Sequence, residues 1–144
     1  MMKWLSKTWT LDKRLDQDTI LISSDAAFQI RLMNDKRWPW IIVVPIIHDL
    51  VDIDDYQKGG LSALAILLHN ISGTLKDMGL CTSTNVGTLG NVVQQMHWHV
   101  VGRNEGDPNW PAPIWGFEKA IPYGKGEAEA FISNFKKAYR GSFF

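Results

Sequence analysis

The sequence contains a single cysteine, Cys81, among its 144 residues. One cysteine excludes an internal disulfide and any zinc site built from cysteines, and it fits a reducing compartment. No apolar run approaches the roughly 20 residues that a transmembrane helix needs. Residues 4–9 are too short and too polar a stretch for the apolar part of a signal peptide. We therefore expect a cytoplasmic protein that makes no membrane contact.

Neither sign of charge is in surplus, because 15 Lys and Arg residues balance 15 Asp and Glu residues. A protein that neutralises many phosphates usually has a basic surplus, so nucleic acid is not a predicted partner. The hydrophobic content of 45% and the charged content of 21% are ordinary for a globular protein. The length fits one domain with a sizeable buried core, and we expect residues 1–144 to form that single domain.

Five segments have the apolar patterns of β-strands. Residues 40–45 are apolar and largely β-branched, which indicates a central strand that Pro45 ends. The other segments mostly alternate apolar and polar positions. The predicted strands cover residues 19–23, 27–33, 40–45, 81–89 and 94–103.

Apolar residues at spacings of three and four predict two helices. The long one is expected to start near Leu61, because Gly59 and Gly60 weaken a helix, and to end near Gly79. The second covers residues 127–139. Residues 1–18 are expected to be a loop with a short helical turn, and 104–125 to be irregular. The predicted fold class is α+β: an antiparallel sheet of about five strands, one long central helix and a C-terminal helix.

The most informative stretch of the chain is Gln-Met-His-Trp-His-Val-Val at residues 95–101. Read as a strand, it places Gln95, His97 and His99 on one face and Met96 and Trp98 on the other. Two imidazoles at i and i+2 lie roughly 6 to 7 Å apart at their Cα atoms, close enough to act on one small anionic group. Such a pattern is also found on solvated faces. The neighbouring Asn- and Gly-rich loop at 85–91 favours a functional site.

This stretch resembles the signature of the histidine triad superfamily, in which three histidines alternate with apolar residues. Gln95 occupies the first histidine position. The resemblance extends over about residues 20–110, through the strand ending in proline, the long helix, the loop at 85–91 and Arg103. Residues 110–116 resemble a segment found in a bacterial branch of this superfamily, whose members are called histidine triad hydrolases. The resemblance implies a HIT-like core at about 20–110, followed by an irregular segment and helix at 104–144.

The resemblance implies a nucleotide hydrolase or nucleotidyltransferase that attacks an α-phosphate through a covalent nucleotidyl-histidine. Its substrates would be dinucleoside polyphosphates or nucleoside phosphoramidates. His97 matches the nucleophile, His99 the third histidine beside the phosphate, and Gln95 completes the catalytic set. A neutral imidazole near pH 7 is a competent nucleophile, which supports this assignment from the residues themselves.

The same resemblance places Asn34, Asn85 and Asn91 near the bound nucleotide. It implies no metal site in the protein and no required cofactor, with any Mg²⁺ entering as part of the substrate complex. Members of the family usually form twofold dimers, so a homodimer is expected. Trp110 and Trp115 have two interpretations: they stack on a base, or they pack the irregular segment against the body.

Two departures from the family pattern keep other functions open. Gln95 does not titrate near neutral pH, and Trp40 stands where many members have a fourth histidine. A non-catalytic nucleotide sensor on the same fold is therefore one alternative. The other is a metal site formed by His97, His99 and Glu105, although such sites belong to barrels with more strands than this sequence predicts.

Overall fold

The protein's structure, a computed structural model, describes residues 8–142. The first seven residues of the predicted N-terminal loop lie outside the described residues. The elements, in chain order, are α1 (Lys13–Asp18), β1 (Thr19–Ser24), β2 (Phe28–Met33), β3 (Trp40–Pro45), a 3₁₀ turn (Ile53–Asp55), α2 (Lys58–Asp77), β4 (Ser83–Gly87), β5 (Trp98–Arg103) and α3 (Glu127–Ala138).

The five strands form one antiparallel sheet in the order β1-β2-β3-β5-β4. This confirms the predicted α+β class, with its long central helix and its C-terminal helix. No helix within residues 8–142 is long and apolar enough to cross a membrane.

Helix α2 and strand β5 begin at residues other than those predicted, each for a local reason, and the remaining bounds agree with the prediction to within one or two residues. Helix α2 begins at Lys58 and includes both glycines, and the ring of Tyr56 lies where a Cβ on Gly60 would be. Strand β5 begins at Trp98, not at residue 94. The backbone before it bonds elsewhere, since the Met96 N–H donates to the Leu50 carbonyl at 2.9 Å. The histidine motif therefore lies half in a loop and half in a strand.

The sheet has one face covered by helices and another that carries the histidines. On the first, which we call the helix face, α2 and α3 pack over a single apolar core. The strand residues buried in that core are Ile22, Phe28, Ile30, Leu32, Ile41, Val43 and Val100. The opposite face, the histidine face, presents Trp40, Ile42, Val44, His99 and Val101.

Residues 104–126, which we call the C-terminal segment, cover part of the histidine face without forming a helix or strand. A buried ion pair fixes its start, because Arg103 donates to both oxygens of Asp107 at 2.8 and 2.9 Å. The indole N–H of Trp38 donates to the Pro108 carbonyl at 3.1 Å. These bonds attach the irregular segment to the sheet beside the histidines.

Candidate functional site

His97 and His99 lie side by side at the start of β5. His99 pairs with Ile42 of β3 on one side and with Gly87 of β4 on the other, which places it on an interior strand of the sheet, next to the edge strand β4. The two imidazole centroids are 5.0 Å apart, with their planes at 62°. Only 8% of His97 and 4% of His99 are exposed. The two rings therefore form one compact and largely dehydrated pair.

The hydrogen bonds of His97 determine which of its ring nitrogens is free. Its Nδ1 lies 2.8 Å from the backbone oxygen of Gln95. A carbonyl oxygen only accepts, so Nδ1 carries the proton and donates it. Nε2 is then left with its lone pair. The backbone here is held as well, because the Thr88 hydroxyl donates to the His97 carbonyl at 2.9 Å.

His99 is held in the opposite tautomer by a tryptophan. The indole N–H of Trp40 donates to Nδ1 of His99 at 3.0 Å. An indole can only donate, so the neutral His99 ring carries its proton on Nε2. Burial, with a smaller contribution from electrostatic repulsion between the two imidazoles when both are protonated, lowers the pKa of His99 to about 3. His99 is therefore a neutral hydrogen-bond donor at physiological pH.

Two aromatic rings frame His99. Trp40 lies on one side with its ring centroid 5.7 Å away, and Trp115 of the C-terminal segment meets it edge-on at 5.4 Å. Trp115 thus packs against the site. Trp110 is 39% exposed and lies beneath the guanidinium of Arg103, 5.4 Å from its ring centroid.

A cavity of about 350 Å³ lies beside Trp40, bounded by α1 and the C-terminal segment. Its walls combine apolar groups from Trp40, Ile114 and Phe117 with polar groups from Asn34 and Asp35. This volume and mixture of wall groups are typical of a small-molecule pocket. Trp40 lines this cavity and also contacts His99, whereas neither His97 nor His99 lines it.

The three predicted nucleotide-binding asparagines lie in different places. Asn34 lines the cavity beside Trp40, and its side-chain oxygen accepts from the Tyr123 N–H at 3.0 Å. Asn85 of β4 lies beside β5, where its side-chain oxygen accepts from Arg103 at 2.9 Å. Asn91 is exposed in the loop before the motif. Asn34 therefore lines the cavity, whereas the side-chain oxygen of Asn85 is occupied by its hydrogen bond to Arg103.

The side chain of Gln95 is directed toward residues 8–12, which we call the N-terminal segment. Its oxygen accepts from the Asp12 N–H at 2.8 Å, and its nitrogen donates to the Thr10 carbonyl at 2.9 Å. Sequence reasoning missed these partners, since nothing in the motif points to a loop more than 80 positions away. It also did not single out Thr88, although the polar loop at 85–91 was identified as part of the site.

Within residues 8–142, no group of three or more His, Cys, Asp and Glu side chains could hold a metal ion. The structure therefore does not bring Glu105 together with His97 and His99 as a set of ligands, and the alternative metal site has no geometric support.

The sheet order, the long helix and the paired histidines together define a protein of the histidine triad type. The HIT domain family model matches residues 14–106, so the chain belongs to the HIT domain family. Among solved structures, it is similar to a histidine triad protein of Sinorhizobium meliloti, with 40% identity, a TM-score of 0.87, and coverage of 91% of this chain and 97% of that one.

Two further histidine triad proteins are similar over their whole lengths. The protein of Bradyrhizobium japonicum has 32% identity and a TM-score of 0.87, with coverage of 92% of this chain and 99% of that one. The protein of Marinobacter aquaeolei has 28% identity and a TM-score of 0.88, with coverage of 92% and 97%. No curated protein compared with the chain matches it.

Proposed function

We propose that the protein is a nucleotide hydrolase or nucleotidyltransferase that acts on the α-phosphate of a nucleotide conjugate through His97. The observation that carries this proposal is the complementary pair of tautomers. His97 presents a lone pair on Nε2 because its Nδ1–H is bound to a carbonyl, and His99 presents an N–H because its Nδ1 accepts from Trp40. A nucleophile and a neutral donor side by side suit attack on an anionic phosphate.

The reaction follows from these two groups. Nε2 of His97 attacks the α-phosphorus, a P–N bond forms, and the bond to the leaving group breaks. The leaving group departs with a proton taken from water, because Gln95 cannot supply one. A second water molecule then attacks the nucleotidyl-histidine and loses a proton to the hydroxide left by the first step, which releases the nucleoside monophosphate and regenerates the neutral Nδ1–H imidazole. The Nε2–H of His99 stabilises negative charge on the phosphoryl oxygens in both steps.

The cavity beside Trp40 is the proposed place of the nucleoside. It adjoins the residue that bonds His99, and Asn34 lines it. Asn85 has its amide nitrogen available for the phosphate region, and Asn91 contacts the substrate from the loop. The substrate class is a dinucleoside polyphosphate or a nucleoside phosphoramidate, with Mg²⁺ bound only to the substrate.

We further propose that the chain is a bacterial HIT hydrolase variant with Gln95 in the first motif position, and that it acts as a homodimer. Cys81 is free and buried, which agrees with a reducing, cytoplasmic compartment.

Trapping the covalent intermediate tests the proposed chemistry. Brief reaction with a diadenosine polyphosphate or an adenosine phosphoramidate, stopped by denaturant under alkaline conditions, should leave one adenylyl group on His97 that mass spectrometry locates. His97→Ala should lower turnover by at least about 1,000-fold. His69→Ala, which changes an exposed histidine on α2, is the matched control and should keep full activity. Full activity of His97→Ala, or an adduct at another residue, would overturn the proposal.

A nucleotide sensor is the second candidate function. Gln95 and Trp40 leave the motif with two titratable histidines, and both of these are nearly completely buried. The same substrates distinguish the two functions: a sensor would bind nucleotide tightly without turnover, and its binding would survive His97→Ala.

A further inference from the structure

The carboxamide of Gln95 has both of its polar atoms bound to the main chain of the N-terminal segment. Oε1 accepts from the N–H of Asp12 at 2.8 Å, and Nε2 donates to the carbonyl of Thr10 at 2.9 Å. The Gln95 side chain thus bonds the backbone on both sides of Leu11, at residues more than 80 positions before Gln95 in the sequence. We call this pair of bonds the Gln95 clamp.

Glutamine suits this clamp better than the histidine that the family motif has at this position. A carboxamide offers an oxygen and an NH₂ group side by side, as an extended backbone does, so it can pair with a carbonyl and an N–H two residues apart. The two nitrogens of an imidazole point away from each other and cannot do this on one edge. A glutamate has no donor for the Thr10 carbonyl.

The clamp is directly connected to the nucleophile. The backbone oxygen of the same Gln95 accepts the Nδ1–H of His97 at 2.8 Å, so the residue that grips the N-terminal segment also fixes the nucleophile's tautomer. A third bond strengthens the attachment, since Arg14 donates to the Val92 carbonyl at 3.0 Å. Arg14 also lowers the pKa of Asp12 by hydrogen bonding, and His97 acts on that carboxyl in the same direction.

The Gln95 side chain does not line the cavity proposed for the nucleoside, and the clamp engages both of its polar atoms. Gln95 lines a polar cavity of about 200 Å³ together with residues 8–10, His48 and Asp49. The larger cavity beside Trp40 has none of these residues in its wall.

We propose that Gln95 is a positioning residue. It anchors the N-terminal segment against the loop at residues 94–97 and thereby holds its own backbone carbonyl in place to orient His97. Gln95 acts through His97 and does not touch the reacting atoms. The expected effect of Gln95 on turnover rests on the function proposed above. The clamp and its effect on the His97 tautomer do not depend on that function.

Asp12 offers a matched pair of variants that isolates one clamp bond. Its φ of −56° is compatible with proline, which lacks the N–H that donates to Gln95. Asp12→Pro and Asp12→Ala both lose the carboxylate that caps α1 by accepting from Arg14, but only the proline variant loses the N–H. Any difference between the two variants therefore reports the bond to Gln95.

A double-mutant cycle with Gln95→Met, which keeps the side-chain length and removes both bonds, tests the proposal. With Gln95 present, Asp12→Pro should lower kcat about three- to tenfold more than Asp12→Ala, with KM changed little. In the Gln95→Met background the two Asp12 variants should be equal. Equal variants with Gln95 present, or a difference that persists in the Gln95→Met background, would overturn the clamp. A loss in Gln95→Met that falls mainly on KM would indicate a substrate contact instead.

A second measurement needs no turnover and separates the clamp from the proposed function. Nitrogen-15 NMR of the His97 ring in the substrate-free protein should show the Nδ1–H tautomer in the native protein and in Asp12→Ala. A mixture of tautomers is expected in Asp12→Pro and Gln95→Met. If native protein turns over no substrate but the ring follows this pattern, the function fails and the clamp stands. An unchanged tautomer in folded Gln95→Met would overturn the clamp's effect on the nucleophile.

Discussion

His99 is a histidine whose burial makes the protein sensitive to acid. The folded-state pKa is lowered to about 3, firstly by burial and then by electrostatic repulsion from His97 when both imidazoles are protonated. The unfolded chain has a histidine pKa of about 6.5. As the pH falls from 6.5 toward 3, the unfolded state binds a proton that the folded state does not, so folding stability decreases.

We expect this titration to change the free energy of unfolding by up to about 1.4 kcal/mol per pH unit between pH 6 and pH 4. His99→Gln removes the titration and should make the free energy of unfolding less dependent on pH in that range. Urea unfolding at pH 7, 6, 5 and 4 measures it. His69→Gln is the control and should keep the native slope. Identical slopes for native protein and His99→Gln would contradict the expected neutral, buried state.

At this scale the sequence predicts the pair of histidines but not their hydrogen bonds. Alternation along the chain was enough to place His97 and His99 together, since it needs only the period of extended backbone. The sequence shows Trp40 only as a residue that stands where many family members have a histidine, and its donation to His99 depends on the pairing of β3 with β5. The role of Gln95 in catalysis stays a prediction. Its contacts with Thr10 and Asp12 depend on the tertiary fold, which local pattern does not encode.

At the scale of elements, strand β5 is closely packed where it leaves the site. A Cβ on Gly102 would lie 2.5 Å from Cγ of Pro39 and 2.9 Å from Cβ of Cys81. Neither neighbour is the flexible end of a long side chain, so the strand would have to move. The strand that carries His99 therefore depends on a glycine here.

Gly102→Ala should destabilise the fold by about 1 to 3 kcal/mol, which is typical of overpacking. Gly59→Ala is the opposite case: nothing lies within 4 Å of its Cβ position, and it is in helix α2. That variant should be stabilised by up to about 1 kcal/mol. Urea midpoints for the two variants and the native protein measure both effects. A Gly102→Ala midpoint equal to the native one would show that the strand accommodates the methyl group.

Element prediction succeeded where local pattern and tertiary bonding agree. Strand β3 was predicted at its observed bounds, because a continuous β-branched run is suited to a central strand and Pro45 cannot continue the ladder. The motif strand was predicted four residues too early. Its polar and apolar alternation already begins at residues 95–97, but the backbone there bonds to Leu50 and Thr88 instead of a neighbouring strand.

At the scale of the whole molecule, the two edges of the sheet differ in ways that bear on the proposed homodimer. Strand β1, at one edge, has an irregular register between Leu21 and Ser23. Such bulges protect an edge from pairing with another chain. Strand β4, at the other edge, pairs regularly with β5 and carries Val86, which is 45% exposed. The β4 edge is therefore the better candidate for a twofold interface.

Light scattering at micromolar concentration should give roughly twice the 16.3 kDa mass of the chain. Val86→Lys places a charge on the β4 edge, and lysine on an edge strand opposes pairing, so this variant should shift the mass toward the monomer. Leu21→Lys makes the same change at the similarly exposed β1 edge and should leave the dimer intact. A monomeric native protein would refute the dimer. Dissociation by Leu21→Lys alone would place the interface at β1, in spite of its bulge.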